Sequence, residues 1–183
     1  MLIAFILFFL FQLKTRTPVI LAIGDSMTAG YGVAVDSSYP AQLERELKHR
    51  GYNYRVINHG VTGSTSTQAL SRLTRALAIQ PDVVIIQIGG NDVSNGISRD
   101  VSRENVRTII QRFKPGGARI LFAGGRFPYL DELAKEMDVP IIPFLDGVAG
   151  HSELLLADHT HPTAEGYTIV VQNILKVLEP ALR

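Results

Sequence analysis

Residues 18–30 read PVILAIGDSMTAG, and this stretch decides the class of fold. Residues 19–23 are an unbroken apolar run that ends at Gly24. Such a run is typical of a strand that other elements cover on both faces, as happens in parallel sheets. The polar residues Asp25 and Ser26 follow directly. The stretch therefore predicts a buried parallel strand with chemically useful side chains at its carboxyl end.

The rest of the chain alternates strand and helix patterns. The strongest further strand pattern is residues 83–88, which lie between Pro81-Asp82 and Gly89-Gly90. We predict the other strands at 54–57, 119–123 and 140–144. We predict helices at 39–50, 64–77, 104–113, 130–137 and 163–182. Strands that alternate with helices predict a three-layer α/β/α sandwich around a five-stranded parallel sheet. Right-handed crossovers then bring the carboxyl ends of all strands to one edge.

Composition and charge exclude several classes of protein. The 183 residues suit one domain, and an apolar fraction of 46% supplies a core, which excludes a disordered chain. The net charge is +1 and no basic stripe is visible, so we predict no nucleic-acid partner. The absence of cysteine excludes disulfide scaffolds, thiol nucleophiles and cysteine-based zinc sites.

The first residues differ in character from the rest. Residues 1–13, MLIAFILFFLFQL, are apolar apart from Gln12, and Lys14 and Arg16 follow the run. As a helix the run would be about 20 Å long, which is short of the ~30 Å hydrocarbon core of a bilayer. A secretory signal would carry its charges before the run and a small-residue cleavage site after it, and this sequence has neither. We predict a leader at residues 1–17 and a folded domain at 18–183.

Three interpretations of the leader remain open at this point. It could be an uncleaved membrane-associating anchor, an atypical export signal, or the end of a longer leader with a mis-assigned start. We favour membrane association through residues 1–13. The positive-inside rule would then place the domain in the cytoplasm, whereas an export signal would place it outside.

Four loops at the predicted carboxyl edge carry small and polar residues. They are residues 24–30 (GDSMTAG), 58–64 (NHGVTGS), 89–92 (GGND) and 158–162 (DHTHP). The loops at the opposite edge are ordinary turns. This asymmetry is typical of a functional site at the carboxyl edge of a sheet.

The four stretches resemble the signature blocks of the SGNH (GDSL) hydrolase family, and most of residues 18–183 share the resemblance. The similarity is greatest to the bacterial lysophospholipase, thioesterase and arylesterase branch. It implies a flavodoxin-like α/β/α fold and a serine nucleophile at Ser26. It implies oxyanion donors at the backbone amides of Ser26 and Gly63 and at the side chain of Asn91. It also implies an Asp158–His161 pair that completes a triad.

The chemistry of these residues agrees with the resemblance. A serine hydroxyl becomes a nucleophile only when a base such as His161 takes its proton, and a carboxylate must hold the imidazole in the right tautomer. Asp158 lies three residues before His161, so its carboxylate can reach back to the ring. Asn91 can donate hydrogen bonds without a charge that would repel an oxyanion. Water would release the acid, so we predict no cofactor.

An α/β-hydrolase has the same chain order of serine, acid and histidine, but two features exclude it. Thr28 occupies the last position of the Gly-x-Ser-x-Gly elbow, which is normally glycine. In addition, Asp158 and His161 share one short turn, whereas that fold normally takes them from separate loops.

Other residues of the edge are weaker candidates for substrate binding: Asp25, Tyr31, Val93 and Phe127. Asp25 could shape its loop, and both aromatic residues could equally belong to the core. In the family branch named above, an insertion after the fourth strand helps to cover the acyl chain. Here Arg126 and Phe127 lead almost directly into a helix, which predicts an open groove and a preference for short acyl chains. The loop that starts at Val93 would be its main remaining wall.

We predict hydrolysis of a small-molecule or lipid ester, with thioesters as further substrates, through an acyl-enzyme. A carbohydrate or cell-wall O-acetylesterase and an inactive, membrane-tethered binding module remain alternatives. His159 and His161 could bind a metal together with Asp158, but no further ligand is evident at a suitable spacing, so we predict no metal site. The sequence does not predict an oligomeric state.

Overall fold

The structure, a computed structural model, describes residues 16–182, and a five-stranded parallel sheet forms its middle layer. The strands are β1 (Val19–Gly24), β2 (Arg55–Gly60), β3 (Val83–Gln87), β4 (Arg119–Gly124) and β5 (Ile141–Pro143). Their order in the sheet is β2-β1-β3-β4-β5. The order reverses direction between β1 and β3, which is where open α/β sheets bind their ligands. The predicted α/β fold and parallel sheet are confirmed. The apolar run of residues 1–13 lies outside the described residues.

Helices cover both faces of the sheet. They are α1 (Ser26–Ala29), α2 (Tyr39–His49), α3 (Ser66–Ser71), α4 (Leu73–Leu77), α5 (Arg99–Phe113), α6 (Pro128–Glu136) and α7 (Ala164–Leu178). One core cluster joins the sheet to α2 and α7, and a second joins its other face to α3, α4, α5 and α6. Alternate residues of β1 enter the two clusters, Ile20 on one side and Leu21 on the other. This double coverage explains why the strand is apolar at every position.

Two predicted helices differ from the structure by more than small shifts of their ends. The single helix predicted at 64–77 is wrong, because Arg72 ends α3 and α4 starts at the next residue. The Arg72 guanidinium donates to Ser64 Oγ over 3.0 Å, which ties this break to the loop before α3. The predicted start of α5 is five residues late. Ser98 caps this helix by accepting the amide hydrogen of Val101, and its first turn is too polar to show an apolar period.

Strand β2 extends through His59 and Gly60, beyond the predicted end at residue 57. Its backbone pairs with β1 as far as Gly24, so the ladder continues where the side chains become polar. Gly60 lies so close to α1 that a Cβ atom there would sit 2.3 Å from the backbone nitrogen of Ala29. The glycine therefore allows the second loop of the edge to pack against the start of α1.

Within residues 16–182, none of the helices is both long and apolar enough to cross a bilayer.

Candidate active site

Three side chains from distant parts of the sequence meet at the carboxyl edge. Ser26 Oγ lies 2.7 Å from His161 Nε2, although 135 positions separate the two residues. His161 Nδ1 lies 2.7 Å from Asp158 Oδ2. The three groups thus form one continuous chain of hydrogen bonds. Ser26 is the first residue of α1, just after β1, and the other two residues lie in the loop before α7.

Asp25 explains why the hydroxyl of Ser26 is available. Its carboxylate caps α1 by accepting the amide hydrogen of Met27 over 3.1 Å. Ser26 is therefore not the cap of its own helix, although serine often takes that position after a strand. Asp25 is 3% exposed, and burial raises the pKa of its carboxyl group despite the opposing hydrogen bond from Met27. Asp25 was a candidate for substrate binding, and in the structure its carboxylate caps α1.

Asp158 is held by its own turn. Its Oδ1 accepts the amide hydrogens of Thr160 over 2.9 Å and of His161 over 3.0 Å, which leaves Oδ2 for the imidazole. The hydrogen bonds from the amide and ring of His161, followed by the amide of Thr160, lower the pKa of Asp158 to about 2. A carboxyl group whose pKa is lower in the folded state contributes stability above its unfolded pKa and loses it as the pH falls through its folded pKa. Asp158 is thus ionised throughout the neutral range.

The loop that follows β2 is joined to both β1 and β3. The amide of Val61 donates to Gly24 O over 3.1 Å, and the side-chain nitrogen of Asn91 donates to Ser64 O over 3.0 Å. Gly63, between them, has a φ of +77°, a conformation that favours glycine. These bonds bring the loops of Ser26, Gly63 and Asn91 together. In the described part of the chain, the amides of Ser26 and Gly63 donate to no protein acceptor.

Asp92 also binds the loop that follows β2, at the point where α3 begins. It is completely buried, and its Oδ1 accepts the amide hydrogen of Ser66 over 2.7 Å at the start of α3. This contact gives Asp92 a structural role in the loop. It also fixes the start of α3, next to the Ser64 carbonyl that Asn91 binds.

A cavity of about 530 Å³ opens beside the triad, over the carboxyl ends of β3, β4 and β5. Its lining includes Met27 and Thr160, the sequence neighbours of Ser26 and His161, but none of the three triad residues. It also includes the apolar residues Ile88, Phe127, Leu145 and Leu155. Only residues 125–127 separate β4 from α6, so the short connection inferred from the sequence is present.

The three remaining substrate-binding candidates occupy different positions. Phe127 lines the cavity. Tyr31 packs its ring against the His161 imidazole with 4.8 Å between the ring centroids, and it is 48% exposed. Val93 is 64% exposed on a short 3₁₀ helix after Asn91 and is not part of the cavity lining.

Sequence reasoning missed Arg126 and Gln87. Arg126 lines the cavity, and its guanidinium carbon lies 5.6 Å from the centre of the Phe127 ring. Its place directly after β4, at the edge where the other loops carry polar residues, could have identified it. Gln87 is 8% exposed and accepts a hydrogen bond from Thr28 of α1 over 2.9 Å. No sequence pattern distinguishes Gln87 from an ordinary strand residue.

Across residues 16–182, no cluster of three or more histidine and carboxylate side chains is arranged to hold a metal ion. His161 uses both ring nitrogens, one toward Ser26 and one toward Asp158. His159 instead lines the cavity, and its backbone φ is +53°. The His-x-His pair therefore does not converge on one point with Asp158.

Comparison with known proteins gives a consistent result. The model of the GDSL-like lipase/acylhydrolase family matches residues 22–169. The chain is 30% identical to esterase TesA of Pseudomonas aeruginosa, over 89% of each protein. It is also 30% identical to thioesterase 1/protease 1/lysophospholipase L1 of Escherichia coli K12, over 88% of this chain and 83% of that one. The crystal structure of AlinE4, an SGNH-hydrolase family esterase, superimposes with a TM-score of 0.72 at 35% identity, over 93% of this chain and 99% of that one.

Proposed function

Because this chain belongs to the GDSL-like lipase/acylhydrolase family, we propose that Ser26, His161 and Asp158 are the catalytic triad with which it hydrolyses carboxylic esters. The protein is a carboxylic ester hydrolase of the SGNH family. The observation that carries the assignment of the residues is the chain of two 2.7 Å hydrogen bonds from Ser26 through His161 to Asp158.

In the acylation step, Ser26 Oγ attacks the carbonyl carbon of the ester while His161 Nε2 takes the hydroxyl proton. The hydrogen bond to Asp158 keeps the other proton of the ring on Nδ1, so that Nε2 is free to act as the base. The imidazolium then gives its proton to the leaving alcohol or thiol as the tetrahedral intermediate collapses. This leaves the acyl group on Ser26 and a neutral imidazole, which activates water for the second half of the reaction.

Negative charge develops on the carbonyl oxygen in both halves. The amides of Ser26 and Gly63 are available donors, and the Asn91 side chain has a second hydrogen beside the one it gives to Ser64. Because the donors are fixed by the loop contacts described above, they need little reorganisation as the charge appears. We assign the oxyanion hole to these three groups.

The acyl chain occupies the cavity beside the triad. Its lining includes Met27, one residue after the nucleophile, and Phe127. With residues 125–127 as the whole connection between β4 and α6, little chain is available to enclose a long acyl group. We therefore assign short and medium acyl chains as the preferred substrates.

A fluorophosphonate probe tests the nucleophile directly. Only a serine activated by a neighbouring base is expected to attack phosphorus and expel fluoride, so peptide mass mapping should find the probe on Ser26 alone. Heat-unfolded protein serves as the control and should remain unlabelled. Hydrolysis of esters by a protein that takes the probe on another serine, or not at all, would contradict the assignment.

A panel of acyl groups tests the cavity. For p-nitrophenyl esters, kcat/KM should rise with chain length only as far as about octanoyl and should not rise further to palmitoyl, because each methylene beyond the cavity adds no contact. The same panel should contain a lysophospholipid, an acyl thioester and acetylated xylan, which compares the substrate classes.

Matched variants locate the acyl chain on the protein. Phe127→Ala should lower kcat/KM for octanoyl but not for acetyl esters, because only the longer chain reaches this side chain. Val93→Ala removes an exposed apolar residue of the neighbouring loop and should change neither. A peak at palmitoyl, or equal effects of the two variants, would contradict the proposal that the acyl chain binds in this cavity.

A further inference from the structure

The edge of the sheet opposite the triad, here called the amino edge, is where the described chain enters the fold. Arg16 Nη2 pairs with Asp82 Oδ1 over 2.7 Å. Asp82 Oδ2 also accepts the amide hydrogen of Val19 over 2.7 Å. These contacts hold residue 16 against the starts of β1 and β3. Ser26 lies beyond the other end of the six-residue strand β1, about 20 Å away at the usual rise of a strand.

This position limits where the apolar run of residues 1–13 can lie. Only Lys14 and Thr15 separate Leu13 from Arg16. Three residue steps extend at most about 11 Å even in a fully extended chain. A lipid surface that holds Leu13 must therefore lie next to the amino edge and not next to the triad.

The amino edge is also rich in exposed basic side chains. Six of them are Arg16, Lys48, Arg55, Arg112, Lys114 and Arg119. Lys48 and Arg112 lie in the last turns of α2 and α5, where they complement the helix dipoles. Arg16, Arg55 and Arg119 stand at or before the starts of strands. Arg16 and Arg112 line one shared cavity of about 450 Å³, so a basic residue before β1 and one at the end of α5 are neighbours.

Most acidic residues of the amino edge are paired with arginine. Asp82 pairs with Arg16, Glu46 and Glu179 pair with Arg50, and Glu136 pairs with Arg103 and Arg107. Glu44 accepts the amide hydrogen of Val56 at the start of β2, and Asp138 is exposed. The edge that carries the triad has the opposite character. Its exposed acidic residues are Asp36, Asp100, Asp146, Glu153, Asp158 and Glu165. Its exposed arginines are Arg45, which donates to the Asp36 carbonyl, Arg99 and Arg126. An anionic surface would attract the amino edge and repel the edge of the triad.

From these placements we propose that the amino edge docks on an anionic lipid bilayer and directs the triad toward the aqueous phase. The exposed basic side chains of this edge supply the attraction to lipid headgroups. The proposal rests on the proposed function only for the location of the triad. It implies that the substrate reaches the enzyme from the water or from a facing surface, and not from the bilayer that holds the enzyme.

Vesicle binding of the full chain tests the charged surface. Vesicles of phosphatidylglycerol and phosphatidylcholine should bind the protein more tightly than pure phosphatidylcholine, with a difference that falls as salt is added. Arg112→Gln should lower the partition coefficient on the anionic vesicles about fivefold. Arg99→Gln makes the same change at the other end of α5 and should leave binding as it was. Equal effects of the two variants, or no binding to anionic vesicles, would overturn the proposal.

Site-specific labels test the orientation, and the absence of cysteine from the chain makes them simple to place. Gln111→Cys puts an environment-sensitive fluorophore near the end of α5 at the amino edge, and Val35→Cys puts one near the triad. Val35 is 82% exposed and belongs to a group of single exposed apolar residues around the triad, which are the alternative contact surface. On vesicles with a lipid-borne quencher, the label at residue 111 should be quenched and the label at residue 35 should not.

Quenching at residue 35, or at neither residue, would overturn the orientation. The hydrolysis of soluble p-nitrophenyl acetate by Arg112→Gln is measured in parallel and should match that of the unmodified chain. Because this readout needs no lipid, failure of the docking proposal and failure of the proposed function give different results.

Discussion

Replacing Ser26 with alanine is expected to lower kcat/KM for p-nitrophenyl acetate by about a thousandfold to a millionfold. The variant loses the only oxygen that can form the acyl-enzyme, and His161 Nε2 loses the partner that lies 2.7 Å away. The fold should remain, because Asp25 and not Ser26 caps α1. The measurement is steady-state kinetics on protein whose circular dichroism and melting temperature match those of the unmodified chain.

Ser37→Ala is the matched control for this experiment. Ser37 belongs to the loop that follows α1, and its hydroxyl makes no hydrogen bond within the described residues. This variant should keep full activity. If Ser26→Ala kept more than about a tenth of the activity, direct attack by another group or by water would have to replace the acyl-enzyme mechanism.

The fold was predictable where side chains and backbone favour the same element. The central strands β1 and β3 are apolar at nearly every position because helices cover both of their faces, and their bounds were predicted to within one residue. Strand β2 lies at the edge of the sheet, where backbone pairing with β1 carries it through polar residues. The break at Arg72 depends on a hydrogen bond to Ser64, a contact that no periodic pattern records.

The candidate site was predictable to the level of loops and motif residues. The order of the strands brings residues 26, 63, 91, 158 and 161 to one edge, so a parallel sheet is enough to group them. Their supports were not predictable, because they depend on which polar atoms face each other after folding. The bond from Asn91 to Ser64 and the bond from Thr28 to Gln87 are examples. The presence of Arg126 in the cavity likewise depends on how short the connection after β4 is.

Replacing Asp158 with asparagine is expected to lower kcat/KM by about a thousandfold to ten-thousandfold while leaving the turn folded. The amide oxygen of asparagine can still accept the backbone hydrogens of Thr160 and His161 that Oδ1 accepts now. Its amide nitrogen then faces Nδ1 of the imidazole, at the place where Oδ2 lies 2.7 Å away. An amide that donates to Nδ1 favours the tautomer with its proton on Nε2, which cannot take the proton of Ser26.

The pH dependence separates this tautomer effect from a simple change of charge. The pKa of Asp158 is about 2, so the carboxylate is ionised at every pH at which the enzyme would be assayed. The activity lost in Asp158→Asn should therefore be lost across the whole neutral range. Asp36→Asn removes one exposed negative charge from the same edge and is the matched control. If both variants lowered kcat/KM equally, the negative charge of the edge would matter and the orientation of His161 would not. A loss confined to Asp158→Asn, with unchanged melting temperature, would instead identify the hydrogen bond to Nδ1 as the contact that makes His161 a base.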